Sequence, residues 1–148
     1  MKNKTKIKIT KKNEKFILWF SELGIKDVEQ GGGKNASLGE MFSNLTKKGI
    51  NVPDGFAVSA AAYRYFIREN KLDNKIRAVL SGLDTSNMRN LSERGAKVRD
   101  LILSADFPED LEKEIVENYK ILSKKYNSKI KLSGDSRGTD VAVRSSAT

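Results

Sequence analysis

Hydrophobic positions fall into short blocks whose spacing alternates between strand-like and helix-like. Phe16-Ile17-Leu18-Trp19-Phe20 is a run of aromatic, aliphatic and β-branched side chains stopped by Ser21-Glu22. It predicts a short strand over 16–20. Residues 21–30 are polar and read as a connection. Gly31-Gly32-Gly33 is the strongest backbone punctuation in the chain. Beyond it Leu38, Met41, Phe42 and Leu45 recur at i, i+3, i+4 and i+7. That spacing predicts a helix over 35–48 with these four side chains on its buried face. Lys47 and Lys48 suit the negative end of such a helix, and Gly49 is suited to close it in a left-handed conformation.

Pro53-Asp54-Gly55 is turn chemistry, and Phe56-Ala57-Val58 reads as a second short strand. Ser59 is placed to cap a helix bearing Tyr63, Phe66 and Ile67 on one face. A further helix is predicted over 72–80, and another within 86–104, where Leu91, Val98 and Ile102 share a stripe interrupted by Gly95. The strongest helical pattern spans 108–126. Pro108 and four acidic residues crowd its start, Lys120, Lys124 and Lys125 its end, and Leu111, Ile115, Tyr119, Leu122 and Tyr126 form its stripe. Residues 127–140 read as a loop. Val141-Ala142-Val143 predicts a last strand running into Arg144-Ser145-Ser146-Ala147-Thr148. A strand that opens into a basic, hydroxyl-rich loop ordinarily leads on, so the sequence reads as a piece of a longer domain. The pattern is that of an α/β (α+β) fold, helix-rich with short strands and no internal repeat.

Composition narrows the chemistry. At 148 residues the chain is one domain or part of one. The absence of Cys excludes disulfides, thiol nucleophiles and zinc–thiolate sites. The absence of His excludes a Ser-His-Asp triad and imidazole acid–base work. Lys, Arg, carboxylates, hydroxyls and backbone amides remain. The net charge is +9, but the first fifteen residues hold seven Lys against one Glu, leaving the body near balance. Residues 1–15 therefore form a basic tail. An arm for nucleic acid or an anionic membrane is one reading of it, and a solvated, frayed terminus is the other. No aromatic side chain precedes Phe16, which favours the second. The apolar run at 16–20 is too short for a signal peptide, and nothing approaches the ~18–20 apolar residues of a membrane span. A cytoplasmic protein without nucleic-acid or membrane partners is expected.

Two stretches could bind an anion. Gly31-Gly32-Gly33-Lys34 opens a helix, where glycine lets a backbone approach closely and the helix start offers unpaired N–H groups. It is not a Walker A loop, since position 28 is Val and position 35 is Asn. On spacing alone, a flexible loop before a helix fits as well. The second stretch, Val141 to Thr148, ends in an Arg and three hydroxyls. The planar guanidinium suits polyphosphate, and hydroxyls add donors. A strand end with a salt-bridged Arg fits too. Asp54 is explained by its turn, and the acidic cluster at 109–117 by the helix dipole, so neither is read as a metal ligand.

Together, three stretches resemble the N-terminal region of the phosphoenolpyruvate synthase (pyruvate, water dikinase) family. Gly32-Gly33-Lys34-Asn35-Ala36-Ser37-Leu38-Gly39-Glu40-Met41 reproduces that family's first signature. Val52 to Val58, with Ala62, Tyr63 and Phe66, resembles the second, and Val141 to Thr148 the start of the third. The resemblance covers residues 16–148. Pyruvate phosphate dikinases and rifampicin phosphotransferases share this domain, and Asn-Ala-Ser-Leu-Gly-Glu-Met leans toward the synthase. A non-catalytic basic binding module is the alternative of another class.

The resemblance implies the first portion of an ATP-grasp-like nucleotide-binding domain. It implies that Lys34 and Arg144 contact ATP, with Gly32, Gly33, Ser145, Ser146 and Thr148 around the phosphates. The family reaction turns pyruvate, ATP and water into phosphoenolpyruvate, AMP and phosphate through a phosphohistidine, and requires Mg2+. No His is present here, so the phosphohistidine, the metal ligands and the pyruvate site are expected outside this chain, in a full enzyme that can be oligomeric. Position 31 departs from the family in carrying Gly where an apolar residue is commoner, which is expected to loosen the loop.

Overall fold

The computed structural model describes residues 15–127 and 138–146. Strand β1 (Ile17–Trp19) pairs antiparallel with β2 (Phe56–Val58), setting Ile17 opposite Val58, Leu18 opposite Ala57 and Trp19 opposite Phe56. The strand is shorter than the 16–20 predicted from its apolar run. The Glu22 carboxylate accepts the Trp19 N–H at 3.1 Å and folds Phe20–Glu22 into a 3-10 turn. Phe20 nevertheless donates its N–H to the Gly55 carbonyl at 2.9 Å, extending the contact by one bond.

The predicted connection over 21–30 holds more order than its polarity suggests. A second 3-10 turn spans Ile25–Asp27 and leads into the four-residue helix α1 (Val28–Gly31). These pieces are too short to show periodicity. Helix α2 (Gly33–Leu45) starts two residues before the predicted boundary. Its inward face differs from the one read in the sequence. Ala36 and Gly39 are its buried residues, Leu38, Phe42 and Leu45 are half-buried, and Met41 is 47% exposed. The reason is close approach: a Cβ at Gly39 would lie 2.5 Å from the Leu23 carbonyl oxygen. Small residues let the two backbones touch, and the large apolar side chains are turned aside. A 3-10 turn at Thr46–Lys48 then ends in Gly49, left-handed at φ 79°, as the sequence predicts.

Helix α3 (Ala60–Glu69) is capped by Ser59, whose hydroxyl accepts the Ala62 N–H at 3.2 Å and donates to the Lys15 carbonyl at 2.6 Å. Helices α4 (Leu72–Leu80), α5 (Met88–Leu103) and α6 (Glu109–Asn127) follow, close to their predicted bounds. Two apolar clusters hold these elements. One joins Ala62, Phe66, Leu72 and Leu111, with Phe16, Ile76, Ile102 and Ile115 packed against it. The other joins Leu18, Leu23 and Ala57 under Phe20. No helix among the described residues is long and apolar enough to cross a membrane.

The predicted strand over Val141–Val143 is absent. These residues carry no regular structure, and Val143 is 91% exposed. A strand needs a neighbour for its N–H and C=O groups, and β1–β2 is the sole sheet among the described residues. Residues 138–146 run across the surface instead. Tyr119 anchors them by donating its hydroxyl to the Thr139 carbonyl at 2.8 Å, and Thr139 donates its N–H to Ser123 Oγ at 3.2 Å. The basic tail before Lys15, most of the loop at 127–140, and Thr148 lie outside the described residues.

Candidate phosphate-binding cleft at the start of helix α2

The glycine triplet is a junction between two helices rather than a loose loop. Gly31 ends α1 and is buried beneath Leu23. Its carbonyl accepts from Asn35 Nδ2 at 2.7 Å. Gly32 turns the chain at φ 79°, ψ 158°, a region open essentially to glycine alone. Gly33 opens α2. The turn aims the first amides of α2, and the Lys34 side chain beside them, toward residues 144–146.

A cleft of about 370 Å³ lies there, lined by Gly33, Lys34 and Asn35 on one side and Arg144, Ser145 and Ser146 on the other. Its volume falls in the range of small-molecule sites. Lys34 Nζ donates to the Ser145 carbonyl at 3.3 Å, and the Asn35 N–H donates to Ser146 Oγ at 3.3 Å. Gly32 meets Ser146 closely enough that a Cβ there would sit 2.4 Å from its Oγ. Leu38 and Met41 form an apolar wall. Among the described residues, no carboxylate lines the cleft. Two cationic side chains, a hydroxyl pair and a helix start therefore face one volume with no negative charge among its lining residues, which is the electrostatic requirement for an anion.

The residue range found by similarity coincides with this architecture. A family model described as the pyruvate phosphate dikinase AMP/ATP-binding domain matches residues 28–148. The chain belongs to that family. Among curated relatives, a phosphoenolpyruvate synthase of Synechocystis is 49% identical over 143 residues, which cover 97% of this chain and 17% of that protein. A phosphoenolpyruvate synthase of Aquifex aeolicus is 46% identical over 93% of this chain and 15% of its own length. One from Escherichia coli is 39% identical over 89% and 15% respectively. The chain thus spans about one-sixth of the length of these relatives.

Within this dikinase domain, the structure brings together Gly32, Gly33, Lys34, Arg144, Ser145 and Ser146 of the residues singled out in the sequence. Asp54 lies elsewhere: its carboxylate, 4% exposed, takes the Gly55 N–H at 2.9 Å and pairs with Lys125. Asp110 accepts from the Tyr65 hydroxyl at 2.8 Å. Four cleft residues, Asn35, Ser37, Leu38 and Met41, escaped the sequence reading as site residues. Leu38 and Met41 match a core stripe by spacing, and the signal against that lay in Ala36 and Gly39, three apart and small. No group of three Asp, Glu, His or Cys converges among the described residues. The cleft residues suit a polyphosphate and do not fit a divalent metal.

Proposed function

We propose that residues 16–148 are the ATP-binding part of a phosphoenolpyruvate synthase, preceded by a basic tail at 1–15, and that the cleft holds the triphosphate of ATP. Lys34 and Arg144 take the phosphate charge from opposite walls. The backbone of Gly32 and Gly33 allows the phosphates close to the α2 start, and Ser145, Ser146 and Thr148 donate hydroxyls. The reading rests chiefly on one observation: Lys34 and Arg144, distant in sequence, line one cleft that no carboxylate of the described residues enters. It carries with it the assignment to the first portion of an ATP-grasp-like fold.

Phosphoryl transfer asks a protein for positioning and charge stabilisation more than for covalent chemistry. Lys34 and Arg144 supply both at one end of the nucleotide. In the whole enzyme the phosphoryl group passes through a phosphohistidine to pyruvate, giving phosphoenolpyruvate, AMP and phosphate. The 148 residues hold no His, so they bind and orient without accepting the group. Magnesium, which shields phosphate charge in this reaction, is held by residues outside this cleft. Two charge-assisted contacts of about 1.5–3 kcal/mol each fall short of the ~8 kcal/mol of a micromolar site. This chain alone therefore binds ATP weakly and turns over no pyruvate.

Calorimetric titration of ATP into the chain tests the reading. Weak binding that is further weakened, yet still measurable, in Lys34→Ala and in Arg144→Ala is expected. Binding of equal strength in both variants would overturn it, and pyruvate-dependent AMP formation by the isolated chain would overturn the claim of inactivity. The same cleft would serve a pyruvate phosphate dikinase, whose name the family model carries. The names of the relatives favour the synthase.

A further inference from the structure

Helix α2 starts without a cap of its own. Its N-cap position is Gly32, which has no side chain to accept from the first-turn amides, and no side-chain cap is made from there. The acceptor comes from 111 residues further along: Ser146 Oγ takes the N–H of Asn35, the third residue of the helix, at 3.3 Å. That is the amide a Ser at the N-cap would satisfy. Gly32 leaves the space this requires. A Cβ on Gly32 would lie 2.4 Å from Ser146 Oγ and 2.5 Å from the Ser146 carbonyl oxygen, so a side chain at the N-cap and the visiting serine exclude each other.

The same contact governs Arg144. Among the described residues, the hydrogen bonds that hold 138–146 lie at Thr139, on Tyr119 and Ser123, and at Ser145–Ser146, on α2. Val141–Val143 form no strand that could hold the stretch between. Arg144 sits two residues before the clasp and five after the anchor.

We propose that Ser146 is a positioning residue: its hydroxyl is the missing N-cap of α2, delivered from a distant segment, and the clasp it makes over Gly32 fixes Arg144 across the cleft from Lys34. A serine hydroxyl carries two acceptor lone pairs and one donor hydrogen. Accepting from Asn35 leaves its hydrogen for a phosphate oxygen, so capping and ligand contact are compatible. The importance for ATP rests on the function proposed above. The capping does not.

The test uses the 148-residue chain, with amide hydrogen exchange at Asn35 and ATP titration read on the same samples. Ser146→Ala speeds Asn35 exchange by about 3- to 30-fold, the range expected for a lost cap, and Ser146→Thr restores protection. Ser146→Ala also weakens ATP binding by about 3- to 10-fold in the native background and by a clearly smaller factor beside Arg144→Ala, where the hydroxyl's own phosphate contact is lost but the clasp has no guanidinium to place. Gly32→Ala, which fills the place of the hydroxyl, gives both effects with Ser146 intact. Unchanged Asn35 exchange in Ser146→Ala would overturn the capping role. Equal losses of ATP affinity in the two backgrounds would overturn the positioning role. Should Lys34→Ala and Arg144→Ala leave ATP binding untouched, the nucleotide reading fails while Asn35 exchange still decides the cap.

Discussion

In the proposed nucleotide site, Lys34 and Arg144 differ in how their chemistry meets a phosphate. The lysine is a compact charge on a flexible stem, whereas the guanidinium presents a planar fork. In an enzyme that contains these residues, Lys34→Ala and Arg144→Ala are each expected to lower kcat/KM by about one to two powers of ten, since each removes a charge-assisted phosphate contact. Arg144→Lys restores part of the loss because charge returns without the fork. Steady-state kinetics with ATP varied checks this, and full activity in both alanine variants would remove these residues from the site. By their local pattern both residues fit a structural use equally well, a loop before a helix and a salt-bridged strand end; it was the resemblance of their stretches to the family's signatures that singled them out. Asn35 was not legible. Its part in the cleft depends on a backbone amide, which no side-chain pattern reports.

Helix α2 carries one wall of the cleft, and its seating depends on Gly39. Gly39→Ala would force a Cβ to 2.5 Å from the Leu23 carbonyl. A loss of about 1–3 kcal/mol is expected from overpacking, read by urea unfolding of the variant, and native stability in it would contradict the close approach. Glu114 on α6 offers an electrostatic test. Burial raises its pKa above the usual carboxylate value, although its carboxylate accepts the Ile17 N–H, and the Asp110 and Glu117 charges add to the rise. A raised folded pKa means the fold favours the protonated form. The native chain therefore loses stability as pH rises through that pKa, and Glu114→Gln does not. The gain in Tm of Glu114→Gln over the native chain is expected to be larger at pH 7 than at pH 4. At this scale the long helices were legible from periodicity and end charges, as in α6. The short turns and α1 were hidden because three or four residues hold no period. Val141–Val143 was misread because a strand is made by its neighbour as much as by its own residues.

At the scale of the molecule, the sheet and α2 are tied to the C-terminal helix by polar contacts as well as by the core. Trp19 Nε1 donates to Asn118 Oδ1 at 2.9 Å, and the Asp54 N–H donates to the Tyr126 hydroxyl at 2.5 Å. The Asp54–Lys125 pair lies at the same end, with Lys125 also 5.7 Å from the centre of the Phe42 ring on α2. Asp54→Ala is expected to destabilise the fold by about 1–3 kcal/mol, because the Gly55 N–H loses its carboxylate partner. Fluorescence of Trp19, the single tryptophan, reports that unfolding. The order of the elements was legible, but their arrangement was not, since long-range ties such as Asp54 to Lys125 have no signature in local pattern.

The account depends on one triphosphate being held at once by the start of α2 and by residues 144–146. The most direct measurement is an NMR titration of the labelled chain with ATP, following the amides of Gly33, Lys34 and Asn35 together with those of Arg144, Ser145 and Ser146. The account predicts that both groups shift along one isotherm with one Kd. Shifts confined to one group, or two separate affinities, would contradict it.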